Sequence, residues 1–323
     1  MRRREFIALA GASATWPFAA RAQQTAMPVV GVLFPNDVWF PHLRAAFVQG
    51  LAEEGYVEGK NVALDTRFAN FKLELLPEAA RDLVRLKVEV IFAGSPEPIA
   101  PARNATSSIP IVAIDLESDP VAKGYVKSLA RPGGNLTGMF LDIPELSGKQ
   151  VALLKEIVPR LSRIAIFGIP DLNEAQFAAT ETAVRALALK AETIEVRSPD
   201  DFEGALDAAK TRHVEAGILL SSPLVFVTSK QIAQLALARQ LPLISLFGEF
   251  PKVGGLIAYG PNLAEMYRRL GGYVGKILHG AKSSELPIQR PEKFDLVINL
   301  KTAAALGLDV PTQLQQLADE VIE

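Results

Sequence analysis

The stretch VEVIFAGSPEPIAPARNATSSIPIVAID at residues 88–115 decides the fold class. It opens and closes with apolar, β-branched runs at 88–94 and 109–115, which are typical of strands buried on both faces of a sheet. The segment between them, at 98–106, predicts a short helix. A strand, a helix and a second strand in this order indicate a parallel sheet with a crossover helix.

The same alternation extends in both directions and restarts near residue 144. It predicts an α/β fold of two doubly wound parallel-sheet lobes joined by a hinge. The predicted strands are 29–34, 61–69, 88–94, 109–115, 134–141, 163–169, 191–197, 216–222, 241–247, 255–260 and 294–299. The predicted helices are 41–54, 75–86, 98–106, 121–130, 144–158, 173–190, 201–212, 230–240, 262–278 and one after 299.

Two glycine-containing stretches mark the places where the chain is expected to cross between the lobes. They are RPGGNLTG at 131–138 and FGEFPKVGGLIAYGPN at 247–262. We therefore expect an N-terminal lobe formed by 28–135 plus about 258–282. The C-terminal lobe is expected to contain 136–255 plus about 285–320.

Composition excludes several classes of function. The chain has 323 residues with a formal net charge of −2, so it lacks the strongly basic character of nucleic-acid-binding domains. It has no cysteine, which removes disulfides, thiolate catalysis and a lipid-modified cysteine. Its three histidines are far apart and have no metal-ligand spacing. We expect no metal and no cofactor.

The first 22 residues have the layout of an export signal peptide. Three arginines precede an apolar stretch, and ARA at 20–22 is a small-x-small cleavage pattern. The sequence RREFI at 3–7 also resembles a twin-arginine signal, although the general export route is an alternative. No later stretch is long and apolar enough for a membrane helix. We expect a soluble, monomeric, periplasmic protein.

Ligands of open parallel sheets bind at the carboxyl ends of the strands. The residues that follow the predicted strands are small, hydroxylated, acidic or aromatic, and they provide our candidate ligand-binding set. The set consists of Phe34, Asn36, Trp39, Gly94, Ser95, Pro96, Asp115, Leu116, Ser221, Ser222, Phe247, Glu249 and Phe250.

Two interpretations apply to the serines in this set. Ser95 precedes Pro96, which suits the first turn of a helix. Ser95 therefore either caps its own helix or, together with backbone N–H groups of that turn, binds a ligand carboxylate. The same alternatives apply to the sequence SSP at 221–223.

The acids and aromatics also have two interpretations. Asp115, Glu117 and Asp119 either pair with a ligand amine or cap helices, and Asp119 before Pro120 is expected to cap a helix at 121–130. Phe34, Trp39, Phe40, Phe247 and Phe250 either stack on an aromatic or apolar ligand or pack in the core. Trp39 is the strongest stacking candidate, because it follows a turn at the first strand end.

Sequence motifs give no positive support for catalysis. There is no GxSxG elbow, no Walker A loop, and no GxGxxG after the first strand. We therefore expect a binding protein and not an enzyme.

Several stretches of the mature chain resemble one family. The chain is similar to ABC-transporter substrate-binding proteins of the tryptophan-binding (TrpX-like) type, which have the type I periplasmic-binding-protein fold. The stretches that carry this resemblance are FVQGLAEEGYVEGKNV (47–62), LVRLKVEVIFAG (83–94), ATSSIPIVAI (105–114), DPVAKGYVKSLARPGGNLTG (119–138), LLKEIVPRLSRIAI (153–166), GGLIAYGPNLAEMYRR (254–269) and KFDLVINLKTAAALGLDVP (293–311).

The resemblance implies two hinged lobes that close on a small solute, an aromatic amino acid or related carboxylate. It also implies delivery to an ABC permease and its ATPase, with only peripheral contact with the membrane. This chain departs from the family at the cleft. It has Gly94-Ser95-Pro96 where members often have a Gly-Thr-Pro-like loop, and GIPD at 168–171 where many have an Asn-Pro pair.

Two alternatives to an importer component remain open. One is a periplasmic enzyme on the same scaffold. The other is a ligand-binding sensor that contacts a membrane receptor.

Overall fold

The structure is a computed structural model, and it describes residues 27–141 and 144–323. The export signal predicted at 1–22 lies outside the described residues. Within the described ranges, none of the helices has the length and apolar character of a membrane span.

The first sheet is built from strands near the beginning of the chain. Its strands are β1 (Val29–Phe34), β2 (Ala63–Phe68), β3 (Val90–Ala93), β4 (Ile111–Asp115) and β5 (Leu136–Phe140). They pair in the order β2-β1-β3-β4-β5, and every neighbouring pair is parallel. All carboxyl ends of this sheet therefore lie along one edge, as the alternation of strands and helices predicts.

The second sheet is larger and includes one antiparallel pair. Its strands are β6 (Arg163–Gly168), β7 (Lys190–Glu195), β8 (Ala216–Leu219), β9 (Leu243–Ser245), β10 (Ile257–Pro261), β11 (Phe294–Asn299) and β12 (Glu320–Ile322). They pair in the order β12-β11-β10-β9-β8-β6-β7. The pairing of β10 with β11 is antiparallel, whereas the other pairs are parallel.

Helices connect the strands and cover the sheets. They are α1 (Pro41–Glu53), α2 (Leu76–Arg85), α3 (Ile99–Ala105), α4 (Pro144–Ile157), α5 (Glu174–Ala186), α6 (Asp201–Thr211), α7 (Pro223–Ala238), α8 (Glu249–Lys252), α9 (Leu263–Leu278), α10 (Leu300–Ala305) and α11 (Thr312–Leu317).

Helix α9 returns to the first lobe and packs against α1 at glycine positions. A Cβ atom on Gly50 would lie 1.8 Å from the carbonyl oxygen of Arg268, and one on Gly271 would lie 2.1 Å from that of Phe47. The two helix backbones can approach this closely only because both residues lack a side chain. This contact assigns α9 to the first lobe, as the sequence predicts.

Strand pairing moves the lobe boundaries at two places. Strand β5, predicted as the start of the second lobe, pairs with β4 along its whole length. Strand β10, predicted to begin the return to the first lobe, pairs with β9 and β11 in the second. A later segment also contacts the first lobe, because Gln289 N–H donates to the carbonyl of Gly138.

The predicted helix at 121–130 is wrong, because this segment forms successive turns. Asp119 Oδ1 accepts hydrogen bonds from the N–H groups of Val121 and Ala122 at 2.7 and 3.2 Å. Gly124 then has φ +68°, which is outside the helical region and ends the turn. Asp119 therefore caps a turn and not a helix.

Two other differences concern element bounds. The helix predicted at 230–240 begins at Pro223, because Ser222 caps it by accepting a hydrogen bond from Val225 N–H at 3.1 Å. The end of the chain adds strand β12 to the edge of the second sheet, a strand that the apolar pattern does not predict.

Candidate functional site

The carboxyl ends of the two sheets meet at a cavity between the lobes. It has about 560 Å³ of space not filled by protein atoms, part of it open to solvent. The lining residues are Phe34, Pro35, Asn36, Val38, Trp39, Phe40, Leu43, Gly94, Ser95, Pro96, Ile114, Leu116, Glu117, Pro223, Phe226, Phe247, Leu263 and Tyr267.

Aromatic rings of the first lobe form one wall of the cavity. Trp39 lies after β1, and its ring centroid is 5.3 Å from that of Phe34 and 5.4 Å from that of Phe47. Phe47 and Phe92 continue this cluster into the core, with ring centroids 4.6 Å apart. Because buried rings hold Trp39 from behind, its position in the cavity wall is fixed by packing.

Phe226 of the second lobe joins the aromatic groups of the two lobes. Its ring centroid is 4.7 Å from that of Phe40, which immediately precedes α1, and 4.9 Å from that of Phe247, which follows β9. Both contacts are edge-to-face, a favourable geometry for aromatic pairs. The lobes are therefore in direct apolar contact at the mouth of the cavity.

Asp115, the last residue of β4, organises the loop that follows it. Its Oδ1 accepts hydrogen bonds from the N–H groups of Glu117 and Ser118, both at 2.9 Å, and Ser118 Oγ donates to its Oδ2. Its side chain is buried behind the cavity wall. Burial raises the pKa of Asp115, and the hydrogen bonds oppose this shift.

Glu117 is the carboxylate that lines the cavity and contacts both lobes. Its Oε1 accepts a hydrogen bond of 2.6 Å from Ser221 Oγ of the second lobe, and its Oε2 accepts one of 2.9 Å from Leu116 N–H. Burial raises the pKa of Glu117 well above its ordinary value, and the charges of Asp115 and Glu97 raise it further.

Glu97 is a third acid in this region and is partly buried. Its Oε2 accepts a hydrogen bond of 2.8 Å from Ser95 Oγ. Burial raises its pKa. Ser95 does not cap α3, because that helix begins at Ile99 and Pro98 occupies the capping position. The capping interpretation of Ser95 is therefore wrong.

The loop after β8 holds Ser221 in place. Ser221 N–H donates to Gln176 Oε1 at 2.8 Å, and its carbonyl accepts from Asn173 Nδ2 at 2.7 Å. Both partners are buried residues from the region of α5. Ser221 and Ser222 therefore have different roles, because Ser221 contacts the opposite lobe and Ser222 caps α7.

Two polar groups at the cavity have no hydrogen-bond partner among the described residues. Asn36 is 6% exposed and lines the cavity, and its Oδ1 is buried without a donor. Trp39 Nε1 is likewise buried without an acceptor. Buried polar groups in proteins are rarely left unpaired, so both atoms are available to a ligand.

The structure brings most of the predicted ligand-binding residues to this cavity. Those that line it are Phe34, Asn36, Trp39, Gly94, Ser95, Pro96, Leu116 and Phe247. Asp115, Ser221 and Ser222 lie behind this lining and support it. Their ligand contacts stay predictions.

Glu249 and Phe250 lie elsewhere. Glu249 Oε1 lies 3.1 Å from His42 Nε2 across the lobe interface, outside the cavity lining. Phe250 is fully buried. Its ring occupies the space where a Cβ on Gly255 would be, 2.3 Å from two ring atoms. It is a core residue, so the prediction that it contacts a ligand is wrong.

Sequence reasoning missed two aromatic residues of the lining. The sequence pattern does not identify Phe226, because the helix that carries it is predicted to begin at residue 230. It does not identify Tyr267, because α9 reaches the first lobe from a distant part of the chain. Tyr267 Oη donates to the carbonyl of Gly94 at 3.1 Å. Glu117 was recognised as a candidate for an amine but not placed in the ligand-binding set.

Among the residues that the structure describes, no group of histidine, aspartate and glutamate side chains is arranged to hold a metal ion.

Comparison with known proteins identifies similar chains. The model of the family described as ABC transporter substrate binding protein matches residues 41–322. The tyrosine-binding protein of Clostridioides difficile (strain R20291) is 24% identical over 271 residues, which are 82% of this chain and 76% of that protein.

Solved structures share the fold. A domain from Streptococcus pneumonia, solved in complex with L-Trp, is 23% identical with a TM-score of 0.83, and the match covers 91% of this chain and 99% of that one. A conserved domain protein from Vibrio cholerae is 24% identical with a TM-score of 0.84 and the same coverage. These similarities confirm the predicted fold of two α/β lobes.

Proposed function

The chain belongs to the ABC transporter substrate binding protein family, and we propose that it captures a small aromatic solute between its lobes. Delivery to an ABC permease with its ATPase follows capture in this proposal. The solutes predicted from sequence are aromatic amino acids or related carboxylates. A relative named as a tyrosine-binding protein and a similar domain solved with L-Trp support an aromatic solute.

One observation carries the proposal. The cavity lies at the carboxyl ends of both sheets and is lined by aromatic rings from both lobes, including Trp39, Phe226 and Phe247. A flat ring placed there would contact apolar surfaces on two sides. Burial of an aromatic ring of this size contributes most of the affinity of a small ligand.

Hinge closure is the proposed means of capture. The lobes contact each other through the bond from Ser221 to Glu117 and the contact between Phe40 and Phe226. Both contacts lie beside the cavity, so both would break if the lobes separated. We propose hinges near 261–263 and 279–293, where the chain passes from one sheet to the other.

We propose that the protein acts in the periplasm after export by the segment at 1–22, by the twin-arginine or the general route, and that it is a monomer. Binding without chemistry is part of this proposal, and the match to a family of substrate binding proteins supports it. A sensor that contacts a membrane receptor would use the same cleft and differ only in its partner.

The test combines ligand screening with solution scattering on the purified mature protein. Amino acids, aromatic acids and aromatic amines are screened by thermal shift, and each hit is then measured by small-angle X-ray scattering. A ligand at 100 times its Kd is expected to stabilise the protein by about 2.7 kcal/mol. It should also decrease the radius of gyration as the lobes close.

Two results would contradict the proposal. One is a screen in which no small molecule of any class stabilises the protein. The other is a hit that leaves the radius of gyration unchanged and is consumed during incubation, which would favour the enzyme alternative. Stimulation of the ATPase of a reconstituted permease by the liganded protein would separate the importer from the sensor.

A further inference from the structure

The polar groups of the cavity are unevenly distributed between acceptors and donors. Among the described residues that line it, none is lysine, arginine or histidine, whereas Glu117 is a carboxylate with two further acids behind it. A lining with acids and no basic side chain favours a positively charged group on the ligand over a negatively charged one.

The backbone donors that would bind a ligand carboxylate are occupied after β4. The N–H groups of Leu116, Glu117 and Ser118 donate to the side chains of Glu117 and Asp115. The protein's own carboxylates thus fill the positions that an anionic ligand would need.

Several potential donors of the loops after β3 and β8 are missing or engaged. Pro96, Pro98 and Pro223 have no N–H group. The hydroxyl groups are also engaged, because Ser95 Oγ donates to Glu97 and Ser221 Oγ donates to Glu117. Ser221 N–H donates to Gln176. A carboxylate in this cavity would therefore lie beside three acids with few donors.

One acceptor and one neutral donor at the cavity have no partner among the described residues, and they are Asn36 Oδ1 and Trp39 Nε1. Asn36 Oδ1 is buried at the cavity without a donor, on the opposite lobe from Ser221. It is independent of the acid cluster and calls for a hydrogen-bond donor on the ligand. The aromatic rings of Trp39, Phe226 and Tyr267 add faces that attract a cation.

We propose that the cleft recognises its ligand through an ammonium group, and that it takes small aromatic amines without a carboxylate in preference to amino acids and acids. This inference rests on the proposed function and names the ligand class of the same site. The ammonium donates to Glu117 and Asn36, and the ring lies among the aromatic side chains. The indole N–H of Trp39 is a neutral donor that suits a hydroxyl group or a water molecule.

The experiment compares three matched sets of ligands by isothermal titration calorimetry. The sets are the amines tryptamine and tyramine, the amino acids L-tryptophan and L-tyrosine, and the acids indole-3-propionate and 3-(4-hydroxyphenyl)propionate. Each set has the same rings and differs in the charged groups. We expect the amines to bind at least about 10-fold more tightly than the amino acids, and the acids not to bind.

Two variants test the residues that carry the inference. Glu117→Gln keeps the shape of the side chain and a hydrogen bond to Ser221 but removes the charge, and it should weaken tryptamine binding by about 30-fold. Asn36→Leu removes the free acceptor at similar size and should weaken binding about 10-fold. Glu285→Gln, at an exposed acid paired with Lys282, is the control and should leave binding unchanged.

Several outcomes would overturn the inference. They are tighter binding of the amino acids or the acids than of the amines, an unchanged affinity for tryptamine in Glu117→Gln, or no binding of any amine. The melting temperature of each unliganded variant shows whether it is folded. A ligand of another class that stabilises the protein and closes the lobes would overturn this inference alone and leave the proposed function intact.

Discussion

Two clusters of acids in this protein have opposite surroundings. At the cleft, Asp115 and Glu117 are buried, Glu97 is partly buried beside them, and all three receive hydrogen bonds from neutral donors. On the surface of the second lobe, Asp207 accepts two hydrogen bonds from Arg239, at 2.7 and 3.1 Å. The cleft acids have raised pKa values, whereas the hydrogen bond from Arg239 lowers the pKa of Asp207.

The two clusters differ in whether the chain provides a cation for the acid. The surface acid has its cation within the chain, so its charge is stabilised in the folded state. The cleft acids have no cation among the residues that line the cavity, so folding places them in an environment that disfavours their charge. Such a cluster destabilises the folded, unliganded protein, and a bound cationic ligand would offset this destabilisation.

The largest expected effect is on the pH dependence of stability. A raised pKa in the folded state means that the folded protein holds its proton more tightly than the unfolded chain does. The contribution of Glu117 to the stability of the unliganded protein is therefore greatest below the unfolded pKa of about 4.5 and is lost as pH rises through the folded pKa of Glu117. The loss is about 1.4 kcal/mol for each pH unit for one such carboxyl.

Chemical unfolding of the unliganded protein between pH 5 and 8 measures this slope, and Glu117→Gln should reduce it. Asp207 is the internal control, because a lowered pKa acts only at pH values below its ordinary 3.8. Asp207→Asn should leave the slope between pH 5 and 8 unchanged. A wild-type stability that is constant or rises over this range would show that the cleft acids are charged and compensated.

The next effect is a difference in sign between two conservative substitutions at pH 8. Glu117→Gln removes a buried charge, and its amide oxygen can still accept from Leu116 N–H while its NH2 group donates to Ser221 Oγ, so it should increase the free energy of unfolding by about 2–3 kcal/mol. Asp207→Asn removes the partner of an arginine and should decrease it.

Unfolding with urea, with no ligand present, measures both changes. Ligand carried through purification would hide the effect, so the proteins should be unfolded and refolded before measurement. Destabilisation by both substitutions would mean that Glu117 has an unrecognised positive partner, and the contrast between the two clusters would be lost.

The fold could be predicted from the sequence to a greater extent than the site. Apolar runs such as 88–94 and 109–115 are buried on both faces, so the periodic pattern alone identifies them as strands. The segment at 121–130 was misassigned because a helix-like composition follows Asp119-Pro120, while the positive φ at Gly124 depends on the tertiary path. Strand β12 is held by its pairing with β11, a contact that no local pattern records.

The sequence predicts the site residues that follow strand ends. It does not predict those that reach the cavity only because the two lobes pack against each other. Trp39, Ser95 and Asn36 follow strands of the first sheet, so parallel topology places them at one edge. Phe226 and Tyr267 reach the cavity only because α7 and α9 pack as they do. The bond from Ser221 to Glu117 joins residues 104 positions apart in sequence, and no spacing rule connects them.

A smaller effect is expected from the single hydrogen bond between the lobes at the acid cluster. Ser221→Ala removes the donor to Glu117 Oε1, which leaves a buried acceptor without a partner when the lobes are closed. Closure should become less favourable by about 1–2 kcal/mol. Small-angle X-ray scattering should then show a larger radius of gyration for the unliganded variant.

Ser222→Ala is the matched control in the same loop. Ser222 caps α7 within the second lobe and makes no bond to Glu117, so its loss should lower stability without opening the cleft. An equal change in the radius of gyration for both variants would show that the loop as a whole, and not the bond to Glu117, holds the lobes together.

The smallest expected effect is the response of the two clusters to salt. Between 0.1 and 1 M NaCl the screening length falls from about 10 to about 3 Å, which weakens exposed ion pairs but reaches buried groups much less. A double-mutant cycle of Asp207→Asn with Arg239→Met should give a coupling energy that decreases with salt. The change in unfolding free energy caused by Glu117→Gln should stay the same at both concentrations. If that change also decreases with salt, then ions reach Glu117 in the unliganded protein. The lobes would then be open for much of the time, and the contrast between the clusters would belong to the closed state alone.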